Sequence, residues 1–236
     1  MHFHIITLFP NMFDSYLNES ILSRAKKEGL IDFSFYNPRD FVTPTEGQMK
    51  NEKPYLRVDD KAYGGGPGMV IQAEPVLKAA EKALEVIEEK QKSNGKKKGS
   101  TKIIFFSPTG KKLDTPYAKT AAKKYTDIIM ICGRYEGIDE RAVKILKAQA
   151  ISVGDYVLTG GELPAMALID TVSRQIKGVL GDFASLEESR PSASEVYTRP
   201  EVLEYKGKKY RVPKVLLSGN HKKIDEWRMG KKGKKS

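Results

Sequence analysis

Three short stretches of this chain combine glycine, proline and polar groups at the end of an apolar run: SPTG (107–110), CGRYEG (132–137) and SVGDYVLTGGELP (152–164). Glycines such as Gly133, Gly137, Gly154, Gly160 and Gly161 let backbone amides and carbonyls approach a ligand closely. The three stretches together are the first candidate for a shared binding site. Cys132 ends an apolar run with no histidine near it in sequence, which reads as core packing and not as a nucleophile. Asp170 and Arg174 stand four apart, the spacing of an ion pair along a helix.

Other signatures are weaker or missing. Gly64, Gly65, Gly66 and Gly68 follow the polar segment VDDKAY, not a strand, and no G-x-G-x-x-G is present. A tight turn or a close backbone approach to a ligand are the two readings for that cluster. No G-x-x-x-x-G-K-[ST] occurs, which argues against a P-loop ATPase. One cysteine and three histidines (His2, His4, His221) leave little for a disulfide framework or a metal site.

The elements that must carry these turns follow from periodicity. An apolar strand is predicted over 2–9, a helix over 11–27 ending at Gly29, and a half-buried strand over 31–36. Residues 38–72 show no clear period, and a connection of that length in a compact domain is commonly functional. A helix over 74–92 follows, with Pro75 tolerated in its first turn. Strands over 102–110, 127–137 and 150–164 end in the three turns, and helices over 114–124, 138–147 and 161–176 alternate with them. Such alternation indicates an α/β fold with a parallel sheet covered on both faces, whose ligands bind at the carboxyl ends of the strands. Residues 178–200 read as a linker, and 201–236 as a small basic C-terminal module with a helix near 221–229.

The 236 residues carry 41 Lys and Arg against 30 Asp and Glu, a formal net charge of +11. Nearly all of the excess lies in 205–236, where 12 basic residues meet two acidic ones. Lys206, Lys208, Lys209, Arg211 and Lys214 alternate with Tyr205 and Tyr210, which favours a nucleic acid over a solubilising role. A second basic block, 90–102, holds six lysines and no acid. No apolar run approaches the ~18 residues of a membrane span, so a soluble, cytoplasmic protein without a membrane partner is expected.

Taken together, SPTG, CGRYEGIDERA and SVGDYVLTGGELPAMALIDTVSRQIKGVLG strongly resemble the bacterial tRNA (guanine-N1-)-methyltransferases, of the trefoil-knotted SPOUT superfamily. ITLFPNMF, NPRDF, VDDKAYGGGPGM, YTRPEV and VLLSGNHKKIDEWR extend the likeness, in order, to about Arg228. The resemblance implies a deeply knotted catalytic domain over 1–177, a linker over 178–200 and a small, mainly helical, tRNA-binding domain over 201–236. It also implies a homodimer, a magnesium requirement, and methyl transfer from S-adenosylmethionine to N1 of guanosine 37 of tRNA. The donor would lie against Ser107, Pro108, Gly133, Tyr135, Glu136, Val153, Gly154, Asp155, Tyr156, Val157, Leu158, Gly160, Gly161 and Pro164.

Neutral guanine carries a proton on N1, so a base must remove it and a cation near O6 must stabilise the charge that develops. Similarity to the family gives the cation role to Arg174. Its base is an Asp followed by Ser in the linker; here that pair falls on Glu188 and Ser189, in a linker one residue shorter. Glu188 is therefore the first choice of base, Glu187 the second and Asp182 the third. The stretch TPTEGQMKNEKPYLRVDD also departs from the family's pattern, so contacts of that loop are not carried over. Two rivals are a knotted methyltransferase acting on another atom of RNA, and an RNA-binding protein that has lost catalysis.

Overall fold

The computed structural model describes residues 1–44, 56–93, 99–181 and 195–232. The chain divides into two units, Met1–Leu180 and Gly181–Ser236. The first unit contains β1 (His2–Ile6), α1 (Asp14–Leu17), α2 (Ser20–Lys27), β2 (Asp32–Tyr36), β3 (Asp59–Asp60), β4 (Val70–Ile71), α3 (Ala73–Ser93), β5 (Thr101–Lys112), α4 (Thr115–Lys124), β6 (Asp127–Ile131), α5 (Glu140–Ile145), β7 (Gln149–Ser152) and α6 (Glu162–Ser173). Five strands form one parallel sheet in the order β2-β1-β6-β5-β7.

Both faces of this sheet are covered, which explains why β6 is apolar at every position after Asp127. Ile128, Met130 and Cys132 face the cluster built by α2, α4 and α6, whereas Ile129 and Ile131 face the one beneath α3 and α5. Ala79, Ala80 and Ala83 let α3 lie close on its side of the sheet. Val179 is fully buried in the first cluster, so the segment expected to begin the linker at 178 still belongs to the first unit.

Several expectations need correction. The single helix over 11–27 is a 3-10 turn (Pro10–Phe13) followed by two helices. Ser20 sits at φ 51, a left-handed conformation that interrupts the helix although the apolar spacing continues through it. The connection 38–72 holds a 3-10 turn over Pro38–Phe41 and the short antiparallel pair β3 and β4.

The segment SPTG is not a turn after a strand but an excursion within β5. Phe106 and Lys111 both stand opposite Ile151 of β7, so residues 107–110 leave the ladder together. Pro108 has no N–H to give a ladder. Gly110 passes so near β7 that a β-carbon there would lie 2.6 Å from the Ala150 carbonyl carbon.

The second unit contains β8 (Val202–Tyr205), β9 (Lys208–Arg211), α7 (Lys214–Leu217) and α8 (His221–Lys232). The mainly helical expectation missed the β8–β9 hairpin. Asn220 caps α8, accepting from the Lys223 amide at 3.1 Å, and Ile224 is buried on its inner side. No described helix is long and apolar enough to cross a membrane.

At the amino ends of β1 and β6 lies a buried polar network. His4 Nε2 is 3.3 Å from the Asp127 carboxylate, His2 Nε2 is 2.8 Å from Ser34 Oγ, and Lys90 Nζ is 3.2 Å from His2 Nδ1. An ammonium only donates, so His2 Nδ1 accepts and the ring is neutral. Burial, with His4 and Lys90 beside it, pushes the His2 pKa down from 6.5 to about 4. The unfolded ring takes up a proton that the folded ring refuses between those values. Stability should therefore fall as pH drops from 6.5 to about 4. The His2 share has an upper bound of about 3 kcal/mol. Urea unfolding across that range checks it, and His2→Gln should flatten the dependence.

Candidate active site

The exits of β5, β6 and β7 converge on one cavity of about 330 Å³. The β5 excursion contributes Ser107 and Pro108, with Ser107 Oγ held 3.0 Å from Thr109 Oγ1. The β6 exit contributes Gly133, Tyr135 and Glu136. It turns sharply: Tyr135 has φ 57 and Gly137 has φ 127, a value that only glycine adopts freely. The β7 exit contributes Val153, Gly154, Tyr156, Val157, Leu158, Gly160 and Gly161, and the first turn of α6 adds Pro164. Phe105, Ile138 and Ile151 supply apolar wall, and Glu140 a second carboxylate beside Glu136.

β7 is the edge strand, and β5 separates it from β6. Yet the segment leaving β7 returns across β5 to touch the β6 exit. Arg134 bridges Gly160, and the Gly161 amide donates to the Gly133 carbonyl at 2.9 Å. Glycine is required at this crossing. A β-carbon on Gly161 would lie 2.7 Å from Cys132 Cα, and one on Gly160 would collide with Arg134 Nε. These two glycines thus serve chain against chain, whereas the sequence alone suggests only a ligand for them. Gly154 is similar in kind, since a β-carbon there would collide with the Tyr156 ring.

Asp155 is the exception among the residues expected around the donor. It does not line the cavity and pairs with Lys112 at 2.9 Å in solvent. Arg174 is also apart from it. That residue caps the carboxyl end of α6, roughly 15 Å along the axis from Pro164. Asp170, its expected ion-pair partner, accepts from the Tyr16 hydroxyl, a bond that raises the Tyr16 pKa to about 12. Glu188, Glu187 and Asp182 lie outside the described residues. Burial pushes the Cys132 thiol well above its ordinary pKa, which removes it as a nucleophile.

The glycine cluster at 64–68 approaches the site through Glu136. The Glu136 amide donates to Met69 O at 3.0 Å, and Ile71 pairs with Ile138. Gly68 at φ 94 leaves room for the Glu136 side chain, which a β-carbon would meet at 2.5 Å.

Sequence reasoning did not single out Thr7, Arg134 or Glu162, which the fold brings together beneath the crossing. Glu162 is only 1% exposed and lies 3.0 Å from Arg134 Nη2, while the Thr7 hydroxyl donates to its other oxygen at 2.8 Å. The Arg134 guanidinium stacks 4.6 Å over the Phe9 ring and reaches the Thr159 carbonyl at 3.4 Å. One buried pair thus ties the β1 exit, the β6 exit and the returning segment. The only sequence signal was an Arg and a Glu of opposite charge within two of the three turns.

The whole chain, residues 1–236, matches the model of the family described as tRNA (Guanine-1)-methyltransferase TrmD. The chain belongs to that family. Proteins named tRNA (guanine-N(1)-)-methyltransferase are similar along nearly all of it. The one from Photobacterium profundum is 44% identical over 229 residues, covering 95% of this chain and 82% of the relative. The one from Clostridioides difficile (strain 630) is 44% identical over 232 residues, covering 97% and 90%. A Vibrio cholerae relative is 45% identical over 229 residues, covering 95% and 83%.

Methyltransferases of this family use S-adenosylmethionine, and the cavity suits such a donor chemically. Backbone at glycines and apolar wall suit a flat purine, and the carboxylates of Glu136 and Glu140 suit a cation. Magnesium fits less well. Among the described residues, the one grouping close enough to ligate a metal is His2, His4 and Asp127, at the opposite end of β1 and β6. Two imidazoles do not match a cation that prefers oxygen ligands, so no step is assigned to that ion.

Removing either member of the buried pair strands a charge in the crossing. Glu162→Ala should cost about 3 kcal/mol. It should also weaken donor binding in the protein that remains folded. Urea titration and donor calorimetry on Glu162→Ala and Arg134→Ala check both.

Proposed function

We propose that the cavity holds the methyl donor and that the protein works as a homodimer, with its basic C-terminal unit gripping the acceptor tRNA. The enzyme transfers a methyl group from S-adenosylmethionine to N1 of guanosine 37 of tRNA, next to the anticodon. The observation that best supports this assignment of the cavity is the convergence there of the three motif segments of a methyltransferase family. The return of the β7 exit over β5 is, in this reading, the pass that closes a trefoil knot.

When bound, the donor supplies an electrophilic methyl group on a sulfonium. The chain supplies the rest. Backbone at Gly133, Val153, Gly154 and 156–158 orients the purine, and Pro164 closes the apolar wall. Glu136 offsets the sulfonium charge from a position fixed by its amide bond to Met69. Arg174 stabilises the negative charge that gathers on guanine O6 as N1 loses its proton. Arg174 does not line the cavity of its own chain, and the homodimer of this reading is what would bring it to the cavity of the second copy. Glu188 takes the N1 proton as general base, ahead of Glu187 and Asp182. A glutamate in place of the family's aspartate adds one torsion to be ordered before the proton moves.

The reading is tested with labelled S-adenosylmethionine and tRNA transcripts carrying guanosine or adenosine at position 37. Transfer is expected with guanosine only; equal transfer to both would overturn the acceptor. Arg174→Ala and Glu188→Gln should lose turnover by at least ~100-fold while donor affinity stays near wild type. Full activity in Glu188→Gln would move the base elsewhere. A cytoplasmic location follows from the acceptor, and fractionation of expressing cells checks it.

A further inference from the structure

The β8–β9 hairpin stands with every side chain but Val202 solvent-exposed. A two-stranded ribbon open on both faces is marginal by itself, so a face carrying large rings is one that a partner covers. Its register separates the faces cleanly. Leu203 pairs with Tyr210 and Tyr205 with Lys208 on one face, while Val202 with Arg211 and Glu204 with Lys209 occupy the other. The hairpin's only acid inside the strands, Glu204, is on the second face, where it lies 4.0 Å from Lys209. The first face therefore has two tyrosines, a leucine and a lysine, and no carboxylate.

Tyr205 and Tyr210 are 60% and 54% exposed. They are diagonal neighbours across the ribbon, about 7–8 Å apart by the usual geometry. Lys206, at φ 51 in the two-residue turn, brings its ammonium 5.5 Å over the Tyr205 ring. Lys208 shares this face, Lys209 and Arg211 belong to the other face of the same ribbon, and Lys214 opens α7 just beyond it. A polyanion matches this charge, and exposed rings select a polyanion with free π-faces. Duplex RNA hides its bases, whereas an unpaired loop offers them.

We propose that this hairpin face is a stacking platform on which unpaired bases of the acceptor tRNA rest against Tyr205 and Tyr210. Lys206 and Lys208, on the same side as the rings, would hold the phosphates between them. This rests on the tRNA reading above and adds the part of the tRNA recognised and the residues that recognise it.

The test compares full-length wild type with three double variants at positions 205 and 210. Tyr205→Phe/Tyr210→Phe keeps both rings. Tyr205→Ile/Tyr210→Ile keeps a β-favouring apolar face without rings. Tyr205→Ala/Tyr210→Ala removes both. The readouts are the tRNA Kd, its salt slope, the Kd for a blunt duplex RNA, and sedimentation of the free protein.

The Phe variant should bind tRNA like wild type. The Ile and Ala variants should bind it about tenfold or more weakly, with an unchanged salt slope and an unchanged duplex Kd. Lys206→Gln/Lys208→Gln should instead lower the salt slope. Wild-type tRNA affinity in the Ile variant overturns the platform. So does an equal loss on duplex RNA, or a change in oligomeric state with tRNA affinity retained, which would make the face a contact between copies. Failure of wild type to methylate any guanosine-37 transcript would reject the tRNA reading itself, separately from these outcomes.

Discussion

Gly161 passes so near the end of β6 that a β-carbon on it would meet the backbone of Cys132. The rest of the first unit depends on that contact. Only because residues 160 and 161 lack side chains can the segment leaving edge strand β7 return over β5 and bond to Gly133. The return brings Val153, Tyr156 and Leu158 back over the exits of β5 and β6, and so creates a concave wall where an open sheet would end in solvent. It also starts α6 beneath the cavity, with Gly161 as its amino cap.

The Arg134–Glu162 pair fixes this arrangement from below. A buried ion pair gains little net stability over a well-packed apolar pair, but it tolerates few alternative geometries. Here it draws on three chain segments at once: the β1 exit through Thr7 and Phe9, the β6 exit at Arg134 itself, and the returning segment through Thr159. The position of the cavity wall therefore depends on residues at the very start of the sheet as well as on the motif loops. Glu136 is anchored in a comparable way, by the strand pairing of Met69 and Ile71 with the β6 exit. In both cases a loop that lines the cavity is held to a segment far away in sequence, by side chains in the first and by backbone bonds in the second.

Much of this was legible before any coordinates. Continuous apolar runs such as 128–131 pointed to a parallel sheet covered on two faces, and glycine-rich exits pointed to its carboxyl edge. What could not be read was what each glycine avoids. Gly133 and Gly161 look alike in a motif, yet the one lines the cavity and the other also clears a backbone. The Asp155 carboxylate sits inside a motif but turns to Lys112, since nothing local fixes which way a side chain leaves a loop. Helix 11–27 failed for a different reason: periodicity reports which side is buried, not whether Ser20 keeps a helical φ. The β8–β9 hairpin escaped notice because its polar, lysine-rich strands lack the alternation by which a half-buried strand is recognised.

Calorimetric titration of S-adenosylmethionine into wild type and into Gly161→Ala tests the central claim, that the crossing builds the donor site. The account predicts binding to wild type. It predicts a loss of at least about tenfold in the variant, whose far-ultraviolet spectrum and tRNA affinity remain. Donor affinity equal to wild type in a folded Gly161→Ala protein would contradict it, since the wall would then not depend on the crossing.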